Sequence, residues 1–574
     1  MNEHLLEPLK AYESRLGQQH RDNTSAYFER LLKESRVDVA QNRATVKKYD
    51  AEQAIIAKLN KRISKYKIFR VLLIIACVIG AVMAIAGIVL PHLTVGLIGA
   101  GVVVVSLLLI FLKINPVLKD VNAILPQHLA KAEALLAEAN AQMAPLNALF
   151  DNTDAFRLIE QTIPEFSFDT RFTERSELAL TEHCDFTDRL GDTESVFQTV
   201  SGRFCDNPFL FYRYLRQTMG THTYHGSLTI HWTETYRDSD GKLRTRHRSQ
   251  VLTASVTKPK PFYSTHTALL YGCQAAPDLK FSRQAAHHER MSEKETERKV
   301  RAGERELLKK AEQATMEGGD FREMTNTEFD VLFGALNRTD EVEFRVMYTP
   351  LAQCNTVDLM RSTSGYGDDF NFYKQGRLNC IVSEHAQNWN MNPSVSNYVS
   401  HSVDIARANF QRFNENFFKS VYFDFAPLMA VPAYQEEPCY SLREPYADRS
   451  NYTEYEHESL VNALGARRFA PADSATEVIL KTAFASKTGG TDTVTVTAKS
   501  FAALHRVDYI PVWGDDGRLH NVPVPWIEYI PIERESSVAV LATDQTERSF
   551  RAVSDSYPVG GVHFHGLYAY LLNE

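Results

Sequence analysis

The stretch VLLIIACVIGAVMAIAGIVLPHLTVGLIGAGVVVVSLLLIFL, residues 71–112, decides how this chain is organised. It consists of two apolar runs, 71–90 and 93–112, which are separated by a Pro-His pair and carry no charged residue. At about 1.5 Å per helical residue, each run covers the roughly 30 Å hydrocarbon core of a bilayer. A helix in the core of a soluble protein shows polar residues on its outer face every turn or two. We therefore predict a transmembrane helical hairpin over residues 68–113.

The residues that flank the hairpin predict its orientation. Basic side chains lie on both flanks: Lys58, Lys61, Arg62, Lys65, Lys67 and Arg70 before the first run, and Lys113 and Lys119 after the second. Cytoplasmic flanks are the ones enriched in Lys and Arg, so both termini are expected in the cytoplasm. A secretory signal peptide is not expected, because about 65 residues precede the first run and such signals begin near residue 1. The predicted location is the cell membrane, crossed twice.

Helical patterns lie on both sides of the hairpin. From Asn23 the sequence reaches the first run without Gly or Pro, which predicts one unbroken helix entering the membrane. Residues 127–150 are rich in Ala and Leu along one face and predict a second helix, antiparallel to the first. The two helices form a predicted stalk, resembling a coiled coil but without strict heptads.

Small residues recur within the hairpin at spacings of three, four and seven: Gly80, Ala84, Gly87, Gly96, Gly99 and Ala100. Such positions let helix backbones approach closely in lipid. The pattern fits packing inside one hairpin as well as packing between two protomers.

Turn signals in the rest of the chain predict β-structure. Asp240-Gly241, Gly489-Gly490 and Asp516-Gly517 each separate two runs rich in Thr, Val, Ile and aromatic residues. This is the pattern of β-hairpins. Residues 341–351 (EVEFRVMYTPL) and 377–385 (RLNCIVSEH) also predict strands.

Two helices are predicted beyond the hairpin. Residues 283–318 are charged nearly all round and carry Glu–Lys and Glu–Arg pairs four residues apart, which predicts a solvated helix that begins near His287-His288-Glu289. Residues 402–425, rich in Phe, predict a largely buried helix.

The predicted fold class is a membrane-anchored, multidomain α+β protein: a long helical stalk, a two-helix transmembrane hairpin and β-rich cytosolic domains with interspersed helices. The predicted domains are an N-terminal stalk segment (1–67), the hairpin (68–113), a second stalk helix (114–152), a β-rich domain (153–280), a charged helix (281–320), an α/β domain (321–435) and a C-terminal β-rich domain (436–574).

This layout, together with VSGRFCDNPFLFYRYL (200–215) and LTASVTKPKP (252–261), resembles an uncharacterised family of bacterial two-span membrane proteins known as a domain of unknown function. The resemblance covers residues 60–270. It implies a bacterial membrane location, and it assigns no catalytic residue to this chain.

Composition narrows the function classes. With 574 residues, the chain is expected to form three or four folded units at about 150 residues each. A net charge of −8 leaves no basic excess to neutralise phosphates, so nucleic acid is not expected as a partner.

Seven scattered cysteines form no CxxC pair, which fits free thiols in a reducing compartment. We expect Cys184, Cys205, Cys273, Cys354, Cys380 and Cys439 all to be free.

No common nucleotide, metallopeptidase, hydrolase or calcium motif is present. The pair Asp368-Asp369 lies in a Gly-containing loop, where two carboxylates can act as acid and base or hold a cation. Turns also favour Gly and Asp for conformational reasons alone.

Two sets of histidines share a strand face. His563 and His565 are the first, and His225 and His231, with His247 on the returning arm, are the second. Two ligands without a third do not make a metal site. We therefore assign no catalytic residue, cofactor or metal.

These observations favour a membrane-anchored binding or scaffold protein, not an enzyme, with an unknown cytosolic partner and with self-association into a homo-oligomer. Two rivals stay open. One is a membrane-tethered enzyme, whose mark would be a deep pocket lined by convergent polar groups. The other is a subunit of an oligomeric pore, since two short uncharged spans enclose water only as a ring.

Overall fold

The computed structural model describes residues 5–89, 93–169, 171–186, 191–237, 239–366, 368–388, 392–436, 452–543, 557–558, 560–564 and 567–572. The described chain divides into two compact units. One is formed by residues 1–23, 151–394 and 414–574, and the other by residues 24–150 and 395–413. The structure is α+β, with two sheets.

The helices of the N-terminal region and the hairpin are α1 (Pro8–Ala11), α2 (Gly17–Ser35), α3 (Val39–Val89), α4 (Leu93–Leu109) and α5 (Asn115–Asn147). A π-helical stretch, Ile110–Ile114, joins α4 to α5. The remaining helices are α6 (Asp154–Thr162), α7 (Glu174–His183), α8 (Glu293–Glu317), α9 (Thr327–Phe333), α10 (Glu341–Met347), α11 (Pro350–Arg361), α12 (Glu384–Asn388), α13 (Val403–Met429), α14 (Ala433–Glu436) and α15 (Glu454–Phe469).

The strands form a seven-stranded sheet and a five-stranded sheet. The first has the order β1-β2-β3-β4-β7-β6-β5 and the second the order β11-β12-β10-β9-β8. Their bounds are β1 (Phe166–Phe168), β2 (Glu194–Phe204), β3 (Asn207–Arg237), β4 (Leu243–Gly272), β5 (Lys280–Arg283), β6 (Phe370–Gln375), β7 (Leu378–Ser383), β8 (Ile479–Thr488), β9 (Thr491–Trp513), β10 (Leu519–Ala542), β11 (Val562–Phe564) and β12 (Leu567–Leu571).

Two helical stretches, Val39–Ala86 and Gly96–Asn147, are long and apolar enough to cross a membrane. Their most apolar segments have mean hydropathies of 2.8 and 2.7, and only 6% and 22% of these segments are buried. The core helix of a soluble protein buries its apolar side chains, whereas the outer side chains here include Ile68, Val82 and Leu97, each more than 60% exposed. By length, composition and exposure, both helices could span a membrane.

Helices α3 and α5 pack antiparallel. The partners of α3 on α5 run in opposite order along the chain: Asn42 contacts Gln142, Thr45 contacts Glu138 and Glu52 contacts His128. Nearer the apolar segment the contact is hydrophobic and centres on Ile63, Ile114, Leu118 and Val121. The predicted second stalk helix is therefore the end of α5, and it pairs with α3 of the same chain.

Close packing inside the hairpin involves two of the predicted small residues. A Cβ atom on Gly99 would lie 2.6 Å from the carbonyl oxygen of Gly80 and 2.6 Å from the backbone nitrogen of Ala84. A Cβ on Gly80 would lie 2.9 Å from the oxygen of Gly99. Only glycine allows this approach, so at these two positions the packing lies within one chain.

The predicted unbroken helix from Asn23 is wrong in its first part. Helix α2 ends at Ser35, Arg36 takes a left-handed conformation with φ of 56°, and α3 begins at Val39. The carboxylate of Asp38 accepts hydrogen bonds from the backbone N–H groups of Ala40 and Gln41 and so caps the new helix. From Val39 onward the helix is continuous into the apolar run, as predicted.

The predicted strand at 341–351 is also wrong, because residues 341–347 form helix α10. Asp340 caps this helix by accepting a hydrogen bond from the backbone N–H of Glu343. The alternation of polar and apolar residues imitates a strand over so short a stretch, while the cap decides in favour of the helix. The three predicted hairpins, the strand at 377–385 and the helix at 402–425 are confirmed as β3-β4, β8-β9, β9-β10, β7 and α13.

The charged helix begins later than predicted. Helix α8 starts at Glu293 behind the capping box of Ser292 and Glu295. Arg283 ends strand β5 and is fully buried, and His288 lies buried in a short 3₁₀ turn, with Nε2 2.9 Å from the carbonyl oxygen of Leu332. The prediction that this histidine is solvated is wrong.

One cysteine prediction is wrong as well. Cys184 is fully buried and disulfide-bonded, although the spacing of the cysteines indicated free thiols throughout. Cys77, Cys205, Cys273, Cys354 and Cys380 are free, and Cys439 lies outside the described residues. Scattered spacing does not exclude a disulfide, because the fold brings together cysteines that are far apart in sequence.

Candidate functional site

The strongest cluster of titratable groups surrounds His385, at the start of helix α12. Its Nδ1 lies 2.8 Å from Oδ2 of Asp368, in the loop after α11, and its Nε2 lies 3.2 Å from Oδ1 of Asp424 on α13. The backbone N–H of His385 also donates to Asp368. The imidazole is thus bracketed by two carboxylates, and its side chain is only 6% exposed.

Two further side chains complete the surroundings of this histidine. The ring of Tyr366 stacks on the imidazole with a centroid distance of 4.2 Å and an interplanar angle of 5°, and the ammonium of Lys419 lies 4.6 Å from the Tyr366 ring centre. Ser383 donates a hydrogen bond to the carboxylate of Asp424. The phenol hydroxyl of Tyr366 donates to the carbonyl of Asn416.

The two carboxylates set the protonation state of His385. Burial by itself would lower the pKa of the imidazole, but the charge of Asp424 and the hydrogen bond to Asp368 outweigh it and raise the pKa to about 10. Burial tends to raise the pKa of Asp368, yet the hydrogen bond from His385 brings that pKa below its usual value. The cluster therefore holds an imidazolium between two carboxylates at neutral pH.

The neighbouring Asp369 belongs to a different ion pair. Its Oδ1 lies 2.6 Å from the guanidinium of Arg283, and both side chains are fully buried. Its other oxygen accepts from the backbone N–H of Ala286 at 2.9 Å. The predicted pair Asp368-Asp369 is therefore split between two cations, and the two carboxylates do not converge on one reacting atom or one cation.

This geometry limits what the cluster can do chemically. A general base needs a free nitrogen lone pair, but both ring nitrogens of His385 bear protons and donate to carboxylates. Ser383 donates to Asp424 and not to His385, so no nucleophile–base pair is formed. The adjoining cavity has a volume of about 30 Å³, which is room for one or two waters. The cluster is suited to clamping three segments together.

The residues that the structure describes contain no group of three or more metal-ligating side chains. His225 and His231 share a face of β3, while His247 pairs with Thr233 and contacts its hydroxyl. His563 contacts the hydroxyl of Thr543. His565 lies outside the described residues.

A second buried polar cluster, on helix α15, was not indicated by the sequence. Glu456 accepts from the hydroxyl of Thr199, and Glu458 accepts from the backbone N–H of Val196 and pairs with Lys481 at 2.5 Å. Five consecutive residues, 455–459, are buried, because α15 contacts strands of both sheets. A run such as YEHES is typical of a solvated helix, so only the tertiary packing discloses its role.

The most extended feature is an arm formed by the outer parts of two hairpins, residues 217–263 of β3-β4 and 499–533 of β9-β10. Strand β3 has 31 residues, against an average of about 5–6. The hairpins pack together through Ile230, Leu252 and Val522 and through an ion pair of Lys258 and Asp508 at 2.7 Å. At about 3.3 Å per residue, a strand of this length extends about 100 Å.

One glycine allows the two hairpins to meet. A Cβ atom on Gly226 would lie 2.1 Å from the carbonyl oxygen of Pro523 and 2.8 Å from the Cα of Val524. Any side chain at this position would push β3 away from β10. The arm is therefore a specific packing of two hairpins.

The side of β9-β10 that faces away from β3-β4 forms an apolar face, made up of Val507, Tyr509, Pro511, Trp513, Leu519, Pro523 and Pro525. The register places Trp513 opposite Leu519 and Tyr509 opposite Pro523, and alternate residues of a strand share a side. Tyr509 is 66% and Trp513 70% exposed, whereas the inward-pointing Val522 is fully buried. The remaining strand residue on this side between 507 and 525 is Asn521, so the strand part of the face carries no charge, while Asp515, Asp516 and Arg518 lie in the turn.

Comparisons with protein-family models, curated proteins and solved structures gave no match. The resemblance to an uncharacterised bacterial family stays a prediction, and the function is argued from the geometry alone.

Proposed function

We propose that the chain is a membrane-anchored binding or scaffold protein that self-associates, with the arm as its binding element. The observation that carries this proposal is the apolar face of the arm. Two exposed aromatic rings, which bury about 150–250 Å² each, together with five aliphatic or proline side chains, bring this face to about 500 Å². That is as large as the largest apolar patch of an ordinary monomer, about 300–600 Å², and such patches mark interaction sites.

A second copy of the chain is the partner that the face suits best. The face carries no charge, so two copies do not repel each other when their faces meet. A standard interface buries about 800 Å² on each partner, of which the apolar face, at about 500 Å², supplies more than half. Pro511, Pro523 and Pro525 lack the N–H groups that an added strand would need. Docking therefore uses the face of the hairpin and not its edge.

The chemistry of the His385 cluster supports binding over catalysis. The cavity beside this cluster has room for one or two waters. It is much smaller than the pockets that bind small-molecule ligands, which measure about 300–1,000 Å³. The charged groups of the cluster are paired with one another: His385 with Asp368 and Asp424, and Arg283 with Asp369. An interior organised in this way favours a stable scaffold.

The proposed anchor is the hairpin of α3 and α4, with the flanks and both termini in the cytoplasm. The basic residues of both flanks support this orientation. The disulfide of Cys184 argues against this orientation, because disulfides are rare in the cytoplasm. Cys184 is fully buried, where soluble reductants have no access, and the exposed Cys354 is a free thiol. We therefore retain the cytoplasmic orientation.

The proposal is tested by the mass of the detergent-solubilised particle, measured by mass photometry and by light scattering at micromolar concentration. The wild type should contain more than one chain. The double variant Tyr509→Glu/Trp513→Glu should fall to one chain with unchanged far-ultraviolet circular dichroism, because each face would then bury two carboxylates. The control variant Met316→Glu/Val342→Glu alters two apolar residues that are 86% and 72% exposed elsewhere and should keep the mass of the wild type.

Two outcomes contradict the proposal. A wild-type particle that contains one chain refutes self-association and favours the membrane-tethered enzyme instead. A double variant that keeps the wild-type mass shows that the apolar face is not the contact.

A further inference from the structure

The β3-β4 hairpin continues beyond the end of its partner hairpin. The turn of β9-β10 meets β3-β4 at Ile230 and Gln250: a Cβ on Gly514 would lie 2.6 Å from Ile230 Cδ1, and the backbone N–H of Asp515 donates to Gln250 at 2.8 Å. The remaining described part, residues 231–237 and 239–249, extends past this contact. We call residues 231–249 the basic tip.

Arginines line one side of the basic tip. Arg244, Arg246 and Arg248 occupy alternate positions of β4, and all three are exposed. Alternate residues of a strand share a side and lie about 6.6–6.8 Å apart. Across the hairpin, Arg244 lies opposite Tyr236, Arg246 opposite Glu234 and Arg248 opposite Trp232, and Arg248 forms a 3.1 Å ion pair with Glu234. The arginine row therefore has aromatic neighbours on the same side of the hairpin.

The charge of the basic tip differs in sign from that of the whole protein. The tip contains five cations, Arg237, Lys242, Arg244, Arg246 and Arg248, against three acids, Glu234, Asp238 and Asp240. Strand β4 has no acidic residue along its 30 residues. Within a chain of net charge −8, this is a local basic surface, and it is complementary to an array of phosphates.

Exposed apolar side chains at the end of the hairpin distinguish between the phosphates of a nucleic acid and those of a lipid bilayer. Leu243 is 69% exposed and Tyr236 is 48% exposed, and both lie next to the turn. Nucleic acids are bound by aromatic stacking and basic side chains, to which an exposed leucine adds nothing. A bilayer accepts a leucine in its acyl region, a tyrosine at headgroup depth and arginines on its phosphates.

We propose that the basic tip binds the surface of a bilayer that contains anionic phospholipids. The arginines contact the lipid phosphates, and Leu243 enters the boundary between headgroups and acyl chains. This inference goes beyond the proposed self-association, since the tip and the apolar face use different residues.

The test uses the full chain in nanodiscs of neutral phosphatidylcholine, mixed with vesicles and separated by flotation. Neutral lipid leaves the cations of the tip available. Vesicles of phosphatidylcholine with phosphatidylserine should capture the nanodiscs, and vesicles of phosphatidylcholine alone should not. The variant Arg246→Gln/Arg248→Gln should weaken capture about 25-fold, because each basic residue near an anionic surface contributes about a fivefold change in binding.

The matched control is Arg298→Gln/Arg305→Gln, which makes the same change of charge at two exposed positions of helix α8. It should bind the anionic vesicles like the wild type, and the thermal unfolding of both variants shows whether they stay folded. A third variant, Leu243→Ser, should weaken capture while leaving its dependence on salt unchanged.

Three results would overturn the proposal: no capture by anionic vesicles, equal weakening by the tip and control variants, or binding to a single-stranded RNA oligonucleotide in place of the vesicles. The tip variants leave the apolar face unchanged, so the vesicle test can fail while self-association stands.

Discussion

Replacing Gly99 by leucine tests the packing of the hairpin directly. A Cβ atom at this position would lie 2.6 Å from Gly80 O and 2.9 Å from the Cβ of Met83, so α3 and α4 must move apart before the rest of the leucine is placed. Overpacking of this kind destabilises by about 1–3 kcal/mol, and replacing glycine inside a helix returns about 1 kcal/mol. We expect a net destabilisation of about 0–2 kcal/mol.

Gly101 provides the matched control on the same helix. No atom lies within 4 Å of a Cβ placed there. Gly101→Leu should therefore be neutral or stabilise by about 0.5–1 kcal/mol through helix propensity alone. The two variants make the same chemical change two residues apart, and Gly101→Leu should leave the protein more stable than Gly99→Leu does.

The assay is unfolding of the purified protein in mixed detergent micelles, followed by circular dichroism, with particle mass measured in parallel. Because Gly99 contacts Gly80 within one chain, the mass should not change. Equal effects of the two variants would refute the close contact. A fall in particle mass without a loss of stability would show that Gly99 packs between protomers.

The remaining predictions concern the part of the chain that follows the hairpin. The folded pKa of His385, about 10, lies above the ordinary 6.5, so the stabilising contribution of His385 is complete below pH 6.5 and is lost as the pH rises through 10. The buried Lys374, with a pKa lowered by burial to about 8, changes stability in the opposite sense. The melting temperatures of wild type and His385→Asn are therefore compared at each pH, and their difference should shrink toward pH 10. A difference that is constant with pH would contradict the bracketed imidazolium. The side chain of Arg338 is fully buried between two carboxylates at 2.5 and 2.6 Å, so Arg338→Met should lower the free energy of unfolding in urea by about 3–5 kcal/mol. A decrease of less than 1 kcal/mol would argue against a buried network. Mass spectrometry of the unreduced, alkylated protein should find Cys184 oxidised and Cys354 alkylated, and an alkylated Cys184 would contradict the structure.

The elements that local pattern determines could be predicted from the sequence. The apolar runs of α3 and α4 need only length and the absence of charge, and the hairpin turn at Asp240-Gly241 needs only turn chemistry. Local pattern does not determine the 31-residue length of β3, because the outer residues of this strand are mostly exposed or half-buried. Helix α10 was mistaken for a strand, since seven residues are too few to separate the two periods.

The His385 cluster could not be predicted because its members come from three separate segments. Asp368 lies 17 residues and Asp424 39 residues from His385 in sequence, and no local spacing connects them. The sequence indicated Asp368 and Asp369 as a pair, but in the fold Asp368 contacts His385 and Asp369 contacts Arg283. Glu456 was missed for the same reason, because its burial follows from the packing of α15 against strands of both sheets.

The central claim is that α3 and α4 anchor the chain by crossing a bilayer twice. It is tested by reconstituting the full chain, with a different epitope tag at each end, into sealed vesicles and digesting them with protease from outside. The account predicts that the protein resists extraction by alkaline carbonate and that each molecule has both tags protected or both tags digested. Release by carbonate, or one tag protected while the other is digested, would contradict it.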